Sequence, residues 1–309
     1  MDTTPLTLPE QSEVLARKTR IADECFASEK PPHVYHYTGI TGLHGILSSR
    51  ELWATDVAYL NDASEQGYAN GIVDRVAAAV ERKVPEFEPL GGLLRLVTVT
   101  NFSRTVYASC FCEAGDLLSQ WRAYSRQGAG YAIEFAFDQL TGLLSVWDTW
   151  TTIRKVVYEA TRQHRIVLHI AEEIVRAVGS APPNLDTAEL QEQLSKGVRP
   201  QWALHITSAA LALLEAKPFL KSAAFSEERE WRIATIQDPA GEGFDARNNM
   251  LVPYRRFPLE KLGKVPITRI LIGPGHQRPK EAKASLERFL RDQGLGYITV
   301  AASPIPVSL

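Results

Sequence analysis

Two β-type runs, Val106 to Cys112 and Tyr131 to Phe137, flank a short helical segment, Leu117 to Tyr124, and a Gly128-Ala129-Gly130 hinge. They read as one compact sheet unit, and the rest of the chain must be arranged around it. Further β-type runs come in groups: His33 to Thr38 and Leu52 to Thr55 before it, Ile153 to Tyr158 after it, then Trp231 to Ile236, Met250 to Tyr254, Ile267 to Ile272 and Tyr297 to Ala301. Grouped strands that do not alternate strictly with helices predict an α+β fold with mixed or antiparallel central sheets and flanking helices.

Helical spacing appears elsewhere. Thr7 to Glu29 ends at Pro31-Pro32, which predicts an N-terminal helical extension over 1–32 followed by an extended entry. Thr41 to Ser49 puts Leu43, Ile46 and Leu47 on one face, and Ser64 to Val84 repeats Ile72, Val76 and Val80. Asn61-Asp62 caps that second helix, and Asp62 with Glu65 matches a capping box. Thr161 to Val178 and Gln201 to Leu214, separated by a loop at Gly179 to Asn184, form a helical insertion at about 161–216 inside a single domain over 33–309. Lys280 to Gln293 supplies the last helix.

The 309 residues are 45% apolar and 23% charged, enough for a sizeable core and too balanced for a disordered or coiled-coil chain. A formal net charge of -2 supplies no global field toward nucleic acid or membrane. Three cysteines, no leader pattern and no long apolar run predict a cytoplasmic protein without a membrane partner. One local excess stands out, since Leu251 to Arg291 holds ten Lys or Arg against three Asp or Glu. It reads as a solvated face, with a polyanion-facing patch as the alternative.

Four segments set polar and aromatic residues at strand ends and turns. In His33 to Thr38, alternation sends Tyr35 and Tyr37 to one face and His36 and Thr38 to the other. In Leu52 to Glu65, capping accounts for Asn61 and Asp62, with Tyr59 just before them. In Ser119 to Tyr124, Gln120 and Tyr124 lie one turn apart while Trp121 turns toward the core. In Ser226 to Arg232, an extended backbone would put Glu228 and Glu230 on one side, concentrating negative charge, whereas a solvated edge strand is the plain structural reading. Cys110-Phe111-Cys112 lacks the second pair a structural zinc site needs, and Gly273-Pro274-Gly275-His276 lacks the spacing of a phosphate loop, so no metal is expected and the latter reads as a turn.

Taken in order, His36-Tyr37-Thr38, Leu52-Trp53 leading to Asn61-Asp62 and Glu65, Cys110 to Glu113 with Trp121 to Tyr124 and Gly130, and Glu228 to Arg232 resemble a bacterial family catalogued as domain of unknown function 2971, from about His33 to Leu290. That family is similar in turn to the ADP-ribosyltransferases. The resemblance implies an ADP-ribosyltransferase-like fold and an NAD-dependent ADP-ribosyltransferase or NAD glycohydrolase, of the toxin or phage-defence kind, with NAD as substrate and an unknown protein or nucleic-acid acceptor. Carried over residue by residue, it makes Glu230 the catalytic carboxylate and Glu228 the group that orients the acceptor or takes its proton. His36 would anchor the adenosine-side ribose, with Tyr37, Thr38, Asn61 and Trp121 also on the NAD side. Tyr59 and Tyr124 remain alternatives for stacking on nicotinamide. Two rivals stay open: a catalytically inactive nucleotide- or peptide-binding module, and a nucleic-acid-processing protein.

Overall fold

The computed structural model describes residues 8–60, 64–83, 105–124, 128–147, 150–179, 201–237, 242–247, 249–260 and 264–306. In chain order the elements are α1 (Leu8–Phe26), β1 (His33–Thr38), α2 (Ile40–Ser49), β2 (Glu51–Asp56), α3 (Ser64–Lys83), β3 (Thr105–Cys112), α4 (Leu118–Tyr124), β4 (Tyr131–Ala136), α5 (Phe137–Gly142), β5 (Thr151–Lys155), α6 (Ala160–Gly179), α7 (Gln201–Ala216), β6 (Glu230–Gln237), β7 (Gly243–Arg247), β8 (Met250–Pro258), β9 (Ile267–Ile272), α8 (Pro279–Asp292) and β10 (Thr299–Ala302). None of the described helices is long and apolar enough to cross a membrane. The expected loop at Gly179 to Asn184 lies outside the described residues beyond Gly179.

The chain folds into two compact units, one from residues 1–27, 61–106 and 157–223, the other from 28–60, 107–156 and 224–309. The first is helical. Val14, Ile21 and Phe26 of α1, Ile72, Val73 and Val76 of α3, Ile166, Ile170 and Ile174 of α6, and Leu204 and Leu213 of α7 are all buried, the recurrence expected when each helix hides one stripe. Each such side chain contributes roughly 1.5–3 kcal/mol by leaving water. Several polar groups inside this unit are tied down. Lys18 pairs with Glu215, both nearly fully buried. The Gln163 amide donates to the carbonyls of Val157 and Lys221 at 2.7 Å each and accepts from the Tyr68 hydroxyl at 2.9 Å. A buried charge or amide without such partners would cost several kcal/mol.

The second unit is built on a sheet that counts ten strands among the described residues, in the order β10-β9-β4-β1-β3-β2-β8-β7, with β6 joining β3 to β5 off that path. The β9–β10 ladder is parallel, while β1–β3, β1–β4, β2–β3, β2–β8, β4–β9, β5–β6 and β7–β8 are antiparallel. The fold is thus α+β with a mostly antiparallel sheet and flanking helices.

Alternation along each strand divides the core. One face gathers Val34, Leu52, Tyr107, Phe111, Ile133, Phe135 and Ile270 under α2, α5 and α8, which contribute Leu43, Leu140 and Leu286. The other gathers Tyr35, Tyr37, Cys112, Ala132 and Leu271 under Trp121 of α4. The short helix α4 therefore does lie on the strands that flank it.

The two glycine motifs explain one another. Gly273 N donates to Gly130 O at 2.8 Å and Gly275 N to Gly128 O at 3.1 Å, so hinge and turn are held backbone to backbone. A Cβ on Gly273 would meet Gly128 O at 2.3 Å, and Gly128 itself takes φ 79°, so both positions need glycine. Sequence patterning gave no sign of β7, whose Gly-Phe-Asp-Ala-Arg lacks a β-branched run. It forms because Met250 to Tyr254 offers it a partner strand.

Candidate functional site

The site begins where β1 and β3 part. They share one register pair, Tyr35 with Cys112. Beyond it the imidazole of His36 reaches the Cys110 carbonyl, Nδ1 to O 2.9 Å. A carbonyl only accepts, so Nδ1 carries the proton and Nε2 keeps its lone pair. Burial lowers the pKa of His36 below the ordinary histidine value, against a smaller opposing pull from the Cys110 carbonyl.

At this parting lies a cleft of about 330 Å³, part of it open to solvent, lined by Tyr35, His36, Tyr37, Cys110, Phe111, Cys112, Gln120, Tyr124, Glu228 and Glu230. Residues from β1, β3, α4 and the start of β6 thus meet in one place, and all belong to the sheet unit. His36 of one strand face and the tyrosines of the other both line the cleft.

The tyrosines are fixed. The Tyr37 hydroxyl donates to Ala114 O at 2.8 Å and accepts from Leu117 N at 3.0 Å, and burial pushes its pKa up. Tyr35 donates to Glu134 Oε2 at 2.7 Å, and burial, then Glu134, raises it. Burial also works to raise Glu134, but hydrogen bonds from Thr268, Tyr35 and Arg269 outweigh it and hold that carboxyl below its usual range. The Cys112 thiol is pushed up to about 11 by burial.

The acidic wall differs from the extended Glu228-to-Glu230 segment that the sequence predicts. Glu228 ends a 3-10 turn spanning Ala223–Glu228, Arg229 takes a left-handed φ of 42°, and only then does β6 start. The turn, rather than strand alternation, brings both carboxylates to the cleft. Glu230 is 5% exposed and gripped side-on by Arg232, Nε to Oε1 2.7 Å and Nη2 to Oε2 2.8 Å. Nearby, Glu113 accepts from Trp231 Nε1 at 2.8 Å and pairs with Lys155 at 2.6 Å.

Of the residues singled out from sequence, His36, Tyr37, Tyr124, Glu228 and Glu230 line this cleft. Trp121 does not; it is 1% exposed, its Nε1 donates to Asp116 at 2.7 Å, and its ring backs Tyr37 edge-on at 4.8 Å. Burying the indole in the core outweighs displaying it. Tyr59 stands in the 3-10 turn Val57–Tyr59, 42% exposed and away from the lining, which leaves Tyr124 as the aromatic of that pair at the cleft. Thr38 ends β1 with its Oγ1 over Gly42 and is not part of the lining. Asn61 lies outside the described residues, as do Asp62 and the Glu65 side chain.

Patterning missed Gln120 as a site residue, although its shared helix face with Tyr124 was a usable signal. Among the described residues no group of three His, Cys, Asp or Glu is arranged to hold a metal ion. Much of the basic excess in 251–291 is paired: Arg255 with Glu242, Arg256 with Glu51, Arg269 with Glu134, Arg278 with Glu281 and Lys283 with Glu287.

Residues 120–233 match the model of a family described as a protein of unknown function (DUF2971). The family resemblance read from the sequence is thereby shown over that stretch, which includes Gln120, Tyr124, Glu228, Glu230 and Arg232 but not His36. Neither the curated proteins nor the solved structures contain a match to the chain.

Proposed function

We propose, for a chain whose residues 120–233 carry the DUF2971 match, that the cleft cleaves the bond between nicotinamide and ribose in NAD, as an ADP-ribosyltransferase or NAD glycohydrolase. The observation that carries this reading is that His36 of β1 and Glu230 of β6, far apart in sequence, line one cleft together with Tyr124 and Glu228. An ADP-ribosyltransferase-like arrangement of the sheet is part of the same reading. As the bond breaks, its electron pair leaves with nicotinamide and positive charge develops on the ribose, which a fixed carboxylate stabilises. Glu230 supplies that carboxylate. Glu228 takes the proton from the attacking group, whether water or the hydroxyl, amine or other nucleophile of an acceptor. Neutral His36 offers Nε2 to a ribose hydroxyl.

One observation favours the rival, a catalytically inactive binding module. Arg232 already neutralises Glu230, and both are nearly buried. Nicotinamide release from NAD separates the two. The cleaving reading expects turnover by the parent and a loss on the order of 10²-fold in Glu230→Gln, which keeps shape and removes charge. A parent that binds NAD and releases no nicotinamide establishes the module instead.

A further inference from the structure

We propose that Gln120 reads a primary carboxamide on the ligand of the cleft, the group that nicotinamide carries on its ring. This rests on reading the cleft as the nicotinamide end of an NAD site. Gln120 is 6% exposed and lines the cleft. Its side-chain amide makes no hydrogen bond among the described residues, yet it is not among their polar groups sealed from solvent without a partner, so it stays open to what enters the cleft. An amide in that position keeps a donor and an acceptor available to a ligand at the cost of few bonds within the protein. The contrast with Gln163, which makes three hydrogen bonds from a more deeply buried position, shows what a structural glutamine looks like in this protein.

Local geometry points the same way. Next along α4, Trp121 turns into the core, whereas Gln120 and Tyr124 are one turn apart on the side facing the cleft. Packing alone would be served better at position 120 by leucine or methionine. A glutamine amide presents one acceptor oxygen beside an N–H donor, and another carboxamide returns the same pair reversed, so two hydrogen bonds form in one plane. A carboxylate has only acceptors. It would satisfy the N–H and set an oxygen against the Gln120 carbonyl. Tyr35, Tyr37, Phe111 and Tyr124 flank the space with aromatic surface suited to a planar ring.

The test titrates nicotinamide and nicotinic acid, which differ only in amide versus carboxylate, into the parent, Gln120→Leu and Gln120→Glu, with affinity measured by calorimetry or ligand-observed NMR. We expect the parent to favour nicotinamide by at least ~10-fold, Gln120→Leu to bind both weakly with little preference, and Gln120→Glu to lose nicotinamide without gaining nicotinic acid. If Gln120→Leu fails to fold, Gln120→Asn, one methylene shorter, must weaken nicotinamide selectively. A parent that binds neither ligand or shows no preference, or a Gln120→Leu variant that retains the parent's preference, overturns the proposal. Failure of the cleavage reading looks different: Gln120-dependent preference for nicotinamide would persist while NAD is not turned over.

Discussion

Both units of this protein bury an ion pair, and the two pairs have opposite surroundings. Lys18 and Glu215 are enclosed by helices α1 and α7, 3% and 2% exposed, and neither lines the cleft. Glu230 and Arg232 are as buried, at 6% and 3%, but Glu230 forms part of a cleft wall. Burial and pairing therefore do not distinguish a charge enclosed in the core from one that lines a cleft. Adjacent space does, because a carboxylate can act on a ligand only where a ligand can reach it. The same contrast separates Gln163 from Gln120.

The comparison can be broken most directly at Lys18. Lys18→Met leaves Glu215 charged, buried and without its ammonium, and should cost about 3–5 kcal/mol in urea unfolding, whereas the double change Lys18→Met with Glu215→Leu should recover most of it. Nicotinamide release per folded molecule should be untouched in both. A single variant as stable as the parent would show the pair to be dispensable.

Arg232→Gln is the matching break in the other unit. It removes the fork that fixes Glu230. Stability should fall by a similar amount, and turnover per folded molecule should fall as well, by ~10-fold or more, since a carboxylate no longer preorganised stabilises developing charge less well. If only stability changes, Glu230 belongs with Glu215, and the distinction between the two pairs collapses.

A smaller effect concerns pH. Burial holds His36 below the ordinary histidine value, as it does His276 and His205. The unfolded chain then binds protons more readily than the folded one, so stability is lost as pH falls through about 6.5. Unfolding midpoints measured between pH 7.5 and 5.5 should decline, and His36→Asn should flatten the slope without abolishing it, since two other histidines contribute. A slope unchanged in His36→Asn would remove that residue from the account.

The smallest change is expected where a pair is neither enclosed nor beside a cleft. Lys283 and Glu287 of α8 lie 3.8 Å apart and about half exposed. Lys283→Ala should alter stability by at most ~0.5 kcal/mol and leave turnover alone. A larger loss would mean that exposure is a poorer guide than the other three cases suggest.

Much of the fold was legible in the residues themselves. The alternation in His33 to Thr38, the stripe of Leu43, Ile46 and Leu47, and the strand–helix–strand unit around α4 all appear as read, because periodicity of apolar residues is a local property that burial then selects. The Gly128 hinge was legible as a turn, though not its pairing with Gly273, since backbone contacts between distant segments leave no periodic trace. Trp121 shows both sides: its place on α4 marked it as core, while the family resemblance pulled it toward the site, and packing decided for the core.

By itself, then, the sequence determined most of the stretches that become strands or helices, β7 and α5 excepted, and which face they bury, along with a short roll of residues, His36, Tyr124, Glu228 and Glu230 among them, at strand ends and turns. Tertiary structure decided the rest: that β1 and β3 part after a single pair and open a cleft, that a left-handed Arg229 delivers both carboxylates to it, that Arg232 grips one of them, and that Gln120 is left with an unanswered amide. The physical reason is one of range. Secondary structure follows from neighbours a few residues away, whereas a cleft and its polar balance depend on where chains far apart in sequence fail to fill the space between them.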